Sequence, residues 1–337
     1  IMNWLFIFSF IFYYYIYFFI ITITIINIYE GENMICVLGD VMLDKYTYGK
    51  VERINPEAPV PVLNIVEEKY TLGGAGNVAN NIASLDEEVV LLGVCNENGN
   101  FGMQMVELCK KKNIKHHFIT DGRPTIVKHR FVALGYNQQL LRVDYEEKHP
   151  LDCNYSKMFV DKIVELNPNI LIISDYAKGM ITEDLMEDIK KQFKGRILID
   201  PKPDNIELYK NVFLIKPNLK EASGIVGWEI KNNDKDVEKA GLEIISNYNA
   251  NVVITRSEKG STLITLDNEI HHIPTEAREI HDVSGAGDTY IATLGYALDK
   301  NYDLVDAVKL ANRASSIVVG KVGTATVSLE ELFSEIR

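Results

Sequence analysis

The chain has 337 residues, enough for one large α/β domain or two smaller ones. Its net charge is −12, its pI is about 5.2 and its basic residues form no cluster, which argues against nucleic acid as a partner. The four cysteines have neither metal-ligand spacing nor a dense disulfide pattern, so they are interpreted as thiols of a reducing compartment, the cytoplasm.

Residues 1–33 are strongly apolar, consist mainly of Phe, Ile, Tyr and Leu, and carry no charge before Glu30. Such a stretch is long enough to span a bilayer. The first basic residue is Lys45, however, so the positive start of a signal peptide is missing. Two interpretations stay open: a membrane anchor, or a mis-set start with Met34 as the true beginning. In both cases the folded domain is expected over residues 34–337.

From residue 34 onward, short apolar runs alternate with longer amphipathic stretches, as in βαβ units. This alternation predicts an α/β fold with a mostly parallel sheet and helices on both faces. Ligands of such sheets bind at the carboxyl ends of the strands. Strands are predicted over residues 35–38, 89–94, 170–174, 196–199, 212–215 and 252–255, and helices over residues 76–85, 101–112 and 236–248.

Two segments, residues 46–66 and 125–145, carry strand-like residues and turn formers without a helical period. We expect them to form an antiparallel flap that projects from the sheet and covers the substrate. A plain surface hairpin is the alternative.

The most informative motif is Asp-Val-Ser-Gly-Ala-Gly-Asp-Thr at residues 282–289, followed by an apolar run. Gly285, Ala286 and Gly287 leave backbone N–H groups open to an anion at the start of a predicted helix, where the helix dipole adds positive charge. Asp288 is unsuited to holding phosphate but suited to removing a proton from an attacking hydroxyl. The motif therefore indicates phosphoryl transfer to an alcohol, with helix capping by Asp288 as the alternative.

Three motifs in this order resemble the ribokinase-like sugar kinases, a family also named for phosphofructokinase B. They are Gly-Gly-Ala-Gly-Asn-Val-Ala at residues 73–79, Asn-Leu-Lys-Glu at residues 218–221 and the loop at residues 282–288. One departure is Thr293, where this family usually has Ala or Gly. The resemblance implies a ribokinase-like fold with a small β flap, or lid, over the substrate site.

Further segments resemble the bacterial heptose-7-phosphate kinases within this family, namely residues 39–46, 53–62, 137–142, 174–179, 199–202 and 255–258. The resemblance implies ATP-dependent phosphorylation of D-glycero-β-D-manno-heptose 7-phosphate at its anomeric hydroxyl, which yields the 1,7-bisphosphate for ADP-heptose and surface polysaccharide. Many such kinases carry a nucleotidyltransferase domain with a His-x-x-His motif. We expect a stand-alone cytoplasmic kinase here, a homodimer, with a separate nucleotidyltransferase acting later.

Sugar binding needs hydrogen-bonding partners with little bulk. The expected substrate-binding residues are Asp40, Asp44, Gly74, Asn77, Asp175, Lys128 and Gln138. Arg130 and Arg142 share the predicted flap with Lys128 and Gln138, and which of these side chains holds the distal phosphate stays open. Turn or helix capping is the alternative for the aspartates and Asn77, and solvated strand charge for the flap residues.

The nucleotide side is assigned by the resemblance. It implies that Asn218 and Glu221 organise Mg²⁺ and its waters. For Lys216, an ordinary strand-end lysine is an alternative that stays open. The expected ATP-binding residues also include Thr255, Ser257, Gly260 and Asn312. Asp282, with the backbone near Ser284 and Gly323, is the candidate site for a monovalent cation such as K⁺.

Three other functions stay open. Another sugar or nucleoside kinase of the same family would share the Asp288 motif and differ only in its acceptor. A catalytically silent sugar-phosphate-binding regulator is disfavoured, because a pure binder need not retain the base, the glycine loop and the Asn218/Glu221 pair together. A membrane-tethered assembly protein depends only on residues 1–33.

Overall fold

A computed structural model describes residues 34–135, 138–276, 282–321, 323 and 325–334 of the chain. The choice between a membrane anchor and a mis-set start concerns residues 1–33, which lie outside the described residues. Within the part of the chain that is described, no helix is both long and apolar enough to cross a membrane.

The larger of two sheets has nine strands in the order β13-β12-β11-β10-β9-β8-β1-β4-β5. Neighbours from β11 to β5 run parallel, and β12 and β13 add an antiparallel edge. The central strands are continuous apolar runs because both of their faces are covered. The bounds are β1 Ile35–Gly39, β4 Val89–Val94, β5 Lys115–Ile119, β8 Ile170–Ser174, β9 Arg196–Asp200, β10 Leu214–Ile215, β11 Asn251–Thr255, β12 Ser261–Ile264 and β13 Ile270–Ile273.

Helices cover both faces of this sheet, as the alternation predicts. Ile35 and Val37 of β1 belong to one apolar cluster, whereas Cys36 and Leu38 belong to another, because successive side chains of a strand point to opposite faces. The helices are α1 Ala75–Ala83, α2 Asn100–Lys111, α3 Cys153–Leu166, α4 Glu183–Gln192, α5 Leu219–Val226, α6 Asp234–Tyr248, α7 Ala286–Asp299, α8 Leu304–Val318 and α9 Leu329–Phe333. Helices α1, α7 and α8 pack on one face, and α3, α4 and α6 on the other.

All six predicted strands are present in the large sheet, although the one expected over residues 212–215 is reduced to Leu214–Ile215. Three strands of this sheet were not predicted, namely β5, β12 and β13. β5 and β13 each carry a histidine pair and lie at an edge of the sheet, so neither shows the buried apolar run that marks the central strands. β12 has only four residues, two of them polar, and shows no such run either.

The smaller sheet is the flap, with the order β3-β2-β6-β7. Its strands are β2 Val41–Ile54, β3 Pro61–Gly74, β6 Ile126–Ala133 and β7 Gln138–Tyr145. The prediction that the flap is antiparallel is wrong for its central pair, since β2 and β6 run parallel. The reason is that β2 continues from β1 and β6 follows β5, two parallel strands of the large sheet, whereas only the hairpin partners β3 and β7 run back.

Helix α7 lies in the interior of the fold. Every residue from Asp288 to Asp299 is buried, and the helix packs against α1, α8 and β8. A helix that is apolar on all sides is stable only in such a position. Thr293, the departure from the family pattern, lies at 0% exposure, and its hydroxyl has no hydrogen-bond partner among the described residues. Helix α7 thus fixes its own first turn, which carries Asp288, within the core.

Candidate active site

Asp288 is a buried carboxylate with two side-chain donors. Asn77 Nδ2 donates to Oδ2 at 2.7 Å, and the Tyr176 hydroxyl donates to Oδ1 at 3.1 Å. Burial raises the pKa of Asp288 above its usual value, while the two hydrogen bonds and the charge of Lys216 oppose that rise. The carboxylate is therefore oriented and kept basic, as a general base needs to be.

The partner Asn77 is positioned by contacts between α1 and α7. Asn81, one turn further along α1, donates its amide to the Asn77 backbone oxygen at 2.9 Å. Thr289, next to the carboxylate, donates its hydroxyl to Asn81 Oδ1 at 2.8 Å. Because all of these groups are buried, the hydrogen bonds hold the two helix starts in register.

The glycine loop turns into α7 at Gly285, whose φ of 81° lies in the left-handed region that favours glycine. Lys216 lies beside the loop. Its ammonium would be 3.5 Å from a Cβ placed on Gly287, and it pairs with Asp200 at 3.0 Å. The alternative that Lys216 is an ordinary strand-end lysine is wrong, because the residue is only 2% exposed and its ammonium lies close to Gly287. The Ala286 N–H is already used within the loop, where it donates to the Val283 backbone oxygen at 3.3 Å. The loop thus combines the N-terminus of a helix with a buried cation.

A cavity of about 460 Å³ opens from Asp288 and the glycine loop. It brings together all six residues predicted to bind ATP and its Mg²⁺. Its lining includes Asp175, Tyr176, Asp200, Lys202, Lys216, Asn218, Glu221, Thr255, Ser257, Gly260, Gly285, Ala286, Gly287, Asp288 and Asn312.

The far wall of the cavity is formed by irregular backbone. Ser257 has a φ of 53° and Gly260 a φ of 79°, and a Cβ on Gly260 would be 2.1 Å from the Ile273 oxygen. This position therefore requires glycine. Asn312 is buried on α8 and donates its amide to the Pro274 oxygen at 2.8 Å, which fixes the loop that follows β13.

Asn218 and Glu221 form a capping box at the start of α5. Asn218 Oδ1 accepts from the Glu221 N–H at 2.9 Å, and Glu221 Oε2 accepts from the Asn218 N–H at 3.0 Å. Glu221 is also ion-paired with Lys202. The sequence pattern Asn-x-x-Glu therefore has a local structural role, in addition to the metal-binding role that the resemblance implies.

The donor set of the cavity suits a hard cation. Burial, followed by the charges of Glu221 and Asp288, raises the pKa of Asp200 to about 6, against the opposing charge of Lys216. A cation would relieve this repulsion, and Mg²⁺ is held by one or two carboxylates together with water and phosphate oxygens. Within the described ranges, no group of three or more His, Cys, Asp or Glu side chains is arranged to hold a metal by itself. The residues therefore fit Mg²⁺ that arrives with a nucleotide.

At the sugar end, Asp44 is ion-paired with Arg130 and lies opposite Lys128 in the pairing of β2 with β6. A Cβ on Gly73 would be 2.4 Å from the carboxylate oxygen Oδ2 of Asp44. Gly74 has a φ of 54°, and a Cβ there would be 2.4 Å from the backbone oxygen of Asp40. The glycine pair therefore allows β3 to pass close to both aspartates.

Asp40 and Asp175 are both tied to the loop that follows β8. Asp40 Oδ2 accepts from the N–H groups of Tyr176 and Lys178 at 2.8 and 3.2 Å. Burial raises the pKa of Asp40 to about 6. The carboxylate of Asp175 is occupied by other protein groups, including the Tyr209 hydroxyl at 2.6 Å, so its visible role is to shape the loop that carries Tyr176.

Gln138 is the one predicted substrate residue that the structure places away from the others. It is exposed at the start of β7 and pairs with Ala133. Ala133 lies five residues along β6 from Lys128, which is about 17 Å in an extended strand. A single chain therefore does not bring Gln138 to Asp288.

Asp282 lies on the loop before α7, where its two carboxylate oxygens accept from backbone N–H groups. The donors are Ser284 at 2.8 Å and Gly323 at 3.1 Å. Partial burial by itself raises the pKa of Asp282, but these hydrogen bonds outweigh it and hold the pKa below its usual value. A permanently charged carboxylate at this position is compatible with a monovalent cation nearby.

Sequence reasoning missed four residues of the site: Tyr176, Asp200, Lys202 and Lys216. The ammonium of Lys202 lies 5.3 Å and that of Lys128 lies 5.1 Å from the centre of the Tyr176 ring. The sequence signal that could have identified these residues was weak. Tyr176 and Lys202 fall in segments that carry the family resemblance, but neither belongs to one of the three family motifs.

An α/β sheet with a buried carboxylate, a glycine loop at a helix N-terminus and a flap is an arrangement that suits a small-molecule kinase. A model described as pfkB family carbohydrate kinase matches residues 32–332. The bifunctional protein HldE of a Nitratiruptor species is 40% identical over 302 residues, 88% of this chain and 64% of that protein. HldE of Haemophilus influenzae (strain PittEE) is 42% identical over 307 residues, 90% of this chain and 63% of that protein. The chain thus spans somewhat less than two thirds of the length of these curated relatives.

Solved structures show the same fold. Phosphofructokinase-2 from Escherichia coli, in complex with potassium, matches with a TM-score of 0.75 and 22% identity, over 89% of this chain and 96% of that one. Ribokinase from Thermotoga maritima matches with a TM-score of 0.70 and 21% identity, over 89% of this chain and 97% of that one. The ribokinase-like fold with its flap is confirmed. The chain belongs to the pfkB family of carbohydrate kinases and is a sugar kinase.

Proposed function

We propose that this kinase transfers the γ-phosphoryl group of ATP to the anomeric hydroxyl of D-glycero-β-D-manno-heptose 7-phosphate. The products are heptose 1,7-bisphosphate and ADP, and the bisphosphate serves ADP-heptose and surface polysaccharide synthesis. The observation that carries the proposal is the buried Asp288 carboxylate, held by Asn77 and Tyr176 beside the glycine loop. The similarity to HldE proteins, together with the resemblance to heptose-7-phosphate kinases, supports this acceptor.

In the proposed reaction, Asp288 accepts the proton of the attacking hydroxyl as its oxygen bonds to the γ-phosphorus. The bond between that phosphorus and the bridging oxygen breaks, and ADP leaves. The N–H groups of Gly285, Ala286 and Gly287 stabilise the charge on the transferring group, and the ammonium of Lys216 beside the loop adds to this stabilisation.

The nucleotide is proposed to occupy the cavity next to the glycine loop, lined by Thr255, Ser257, Gly260 and Asn312. Asp200 and Glu221 are the carboxylates that would hold Mg²⁺ through its waters, and Asn218 keeps Glu221 in place. When bound, Mg²⁺ neutralises phosphate charge. Asp282 is proposed to lie beside a monovalent cation, an ion that the Escherichia coli phosphofructokinase-2 structure contains.

The acceptor is proposed to lie under the flap, with Asp40, Asp44 and Asn77 accepting or donating hydrogen bonds to its hydroxyls. The kinase domain is assigned to residues 34–337, with flap segments at about 46–66 and 125–145, and the protein is proposed to be cytoplasmic.

We also propose a homodimer formed through the flap, whose outer part exposes apolar side chains such as Ile54, Ile65 and Leu141. Light scattering should then report a dimer that Ile65→Asp converts to a monomer. Met103→Asp on α2, an apolar position outside the flap that is 52% exposed against 61% for Ile65, should leave the dimer intact. A monomeric unmodified protein would contradict the dimer.

The test of the function is ADP release with ATP and Mg²⁺ across a panel of acceptors. The panel contains D-glycero-D-manno-heptose 7-phosphate, sedoheptulose 7-phosphate, fructose 6-phosphate, ribose and adenosine. We expect a strong preference for the manno-heptose, with turnover lowered by two or more orders of magnitude in Asp288→Asn, as is typical of the loss of a general base. Preference for another acceptor would overturn the substrate, and inactivity on all acceptors would favour the regulator hypothesis.

A further inference from the structure

One ammonium group at the sugar end of the site, that of Lys128, forms no ion pair with a carboxylate among the described residues. Lys128 lies on β6 and is partly buried. Its Nζ lies 5.1 Å from the centre of the Tyr176 ring, and the hydroxyl of that ring donates to Asp288. A single aromatic ring therefore separates this cation from the catalytic base.

The neighbouring cations differ from Lys128 because each already has a partner. Arg130 pairs with Asp44, Lys178 pairs with Glu146, and Arg142 pairs with Asp144. Burial lowers the pKa of Lys128, and the charges of these three cations lower it further, against the opposing charge of Asp44. A further anion at this point would relieve the repulsion among the cations.

The proposed nucleotide site contains other cationic side chains. Lys202 and Lys216 line the cavity beside the glycine loop, and both form ion pairs there. Lys128 instead belongs to the flap, where it lies opposite Asp44 in the strand pairing. Its position is therefore on the acceptor side of Asp288.

We propose that Lys128 binds the phosphate that the acceptor already carries, so that the site selects a sugar phosphate over the free sugar. This inference rests on the proposed function, because it places the reacting hydroxyl at Asp288. A lysine is a compact point charge and a common partner of phosphate, and a charge-assisted hydrogen bond is strong where water is partly excluded. The Tyr176 ring then spaces the acceptor phosphate from the reacting hydroxyl.

The test compares Lys128→Met with the unmodified protein on two acceptors, D-glycero-D-manno-heptose 7-phosphate and the same heptose without phosphate. The matched control is Lys45→Met, because Lys45 is also a flap lysine over a tyrosine ring, that of Tyr70 at 5.5 Å, but is neutralised by Glu68 at 2.8 Å. We expect Lys128→Met to lower kcat/KM for the phosphorylated acceptor by about 10- to 150-fold, the range for a hydrogen bond to a charged group. The value for the free heptose should stay within about twofold.

Equal losses on both acceptors would overturn the phosphate subsite and leave Lys128 a general part of the flap. A similar loss in Lys45→Met would overturn it as well, by showing that the flap itself had been disturbed. If the unmodified protein prefers another sugar phosphate, the proposed substrate is wrong. The phosphate subsite is then tested in the same way, by comparing Lys128→Met on that sugar with and without its phosphate. A preference of the unmodified protein for free sugars would overturn both.

Discussion

The amide of Asn77 lies 2.7 Å from the carboxylate of Asp288, although 211 residues separate them in the chain. Asn77 belongs to the glycine-pair motif and Asp288 to the glycine-loop motif, so this hydrogen bond joins the two sequence signatures directly. Because an amide can only donate through its nitrogen, the contact favours the ionised carboxylate. A residue of the first motif thus orients the carboxylate of the second.

The Tyr176 hydroxyl is the second donor to Asp288, so we expect Tyr176→Phe to shift the pH dependence of catalysis. Losing the hydrogen bond raises the pKa of a carboxylate whose pKa burial has already raised. A base works only when deprotonated, so the acidic limb of the kcat/KM profile should move to higher pH, by about one unit for a lost hydrogen bond to a charged group. Phe preserves the ring beside Lys128 and Lys202. An unchanged acidic limb would show that Tyr176 does not tune the base.

Asp40→Asn should make the protein more stable but less active. The pKa of Asp40 is about 6 in the folded protein, against an ordinary value of 3.8. The carboxyl group of Asp40 therefore holds its proton more tightly in the folded state than in the unfolded state. Its ionisation lowers the free energy of unfolding increasingly as the pH rises from about 4 to 6. At pH 8, urea unfolding should show Asp40→Asn to be more stable by up to about 3 kcal/mol. The difference should vanish below pH 4.

The same variant should bind the sugar less well, because an amide accepts fewer hydroxyl donors than a carboxylate. Asp152→Asn, an exposed helix cap, is the control and should change neither property. A destabilised Asp40→Asn at pH 8 would contradict the argument.

Two buried threonines on α7 give opposite predictions. Thr293 has a hydroxyl without a partner among the described residues, whereas the Thr289 hydroxyl donates to Asn81 at 2.8 Å. Replacing an unsatisfied hydroxyl with a methyl group removes a cost of about 1–3 kcal/mol, so Thr293→Val should raise the free energy of unfolding. Thr289→Val should lower it by a similar amount, since Asn81 loses its donor. Changes of the same sign in denaturant unfolding would contradict this account.

Glu221→Gln separates the cap from the metal site. Glutamine still offers an oxygen to the Asn218 N–H, so α5 should remain capped, but the carboxylate charge is lost. We expect the Mg²⁺ concentration for half-maximal activity to rise by about tenfold or more. The free energy of unfolding should change by less than about 1 kcal/mol.

The control for this variant is Glu331→Gln. Glu331 forms the equivalent capping box with Ser328 at the start of α9 and pairs with Lys321 at 2.6 Å. It should leave the Mg²⁺ dependence unchanged. If both variants behave alike, the role of Glu221 is confined to the helix cap.

The sequence allowed the central strands to be predicted because a strand buried on both faces is a continuous apolar run. It did not reveal that β2 and β6 pair in parallel, because pairing between distant segments leaves no local pattern. The same distinction holds for the site. Asp288 and its glycines are contiguous and could be recognised, whereas Lys216 shows its burial and its contact with the loop only once the chain is folded.

The burial of α7 has a consequence for how the protein is made. This helix packs against α1, α8 and β8, yet it begins only at Ala286. A growing chain that has passed β1 and the flap therefore still lacks the segment that fills one face of its sheet. Until the ribosome has added the helix Ala286–Asp299, strands near the middle of that sheet present uncovered apolar surface. Cells that produce this kinase must keep such incomplete chains from associating with one another.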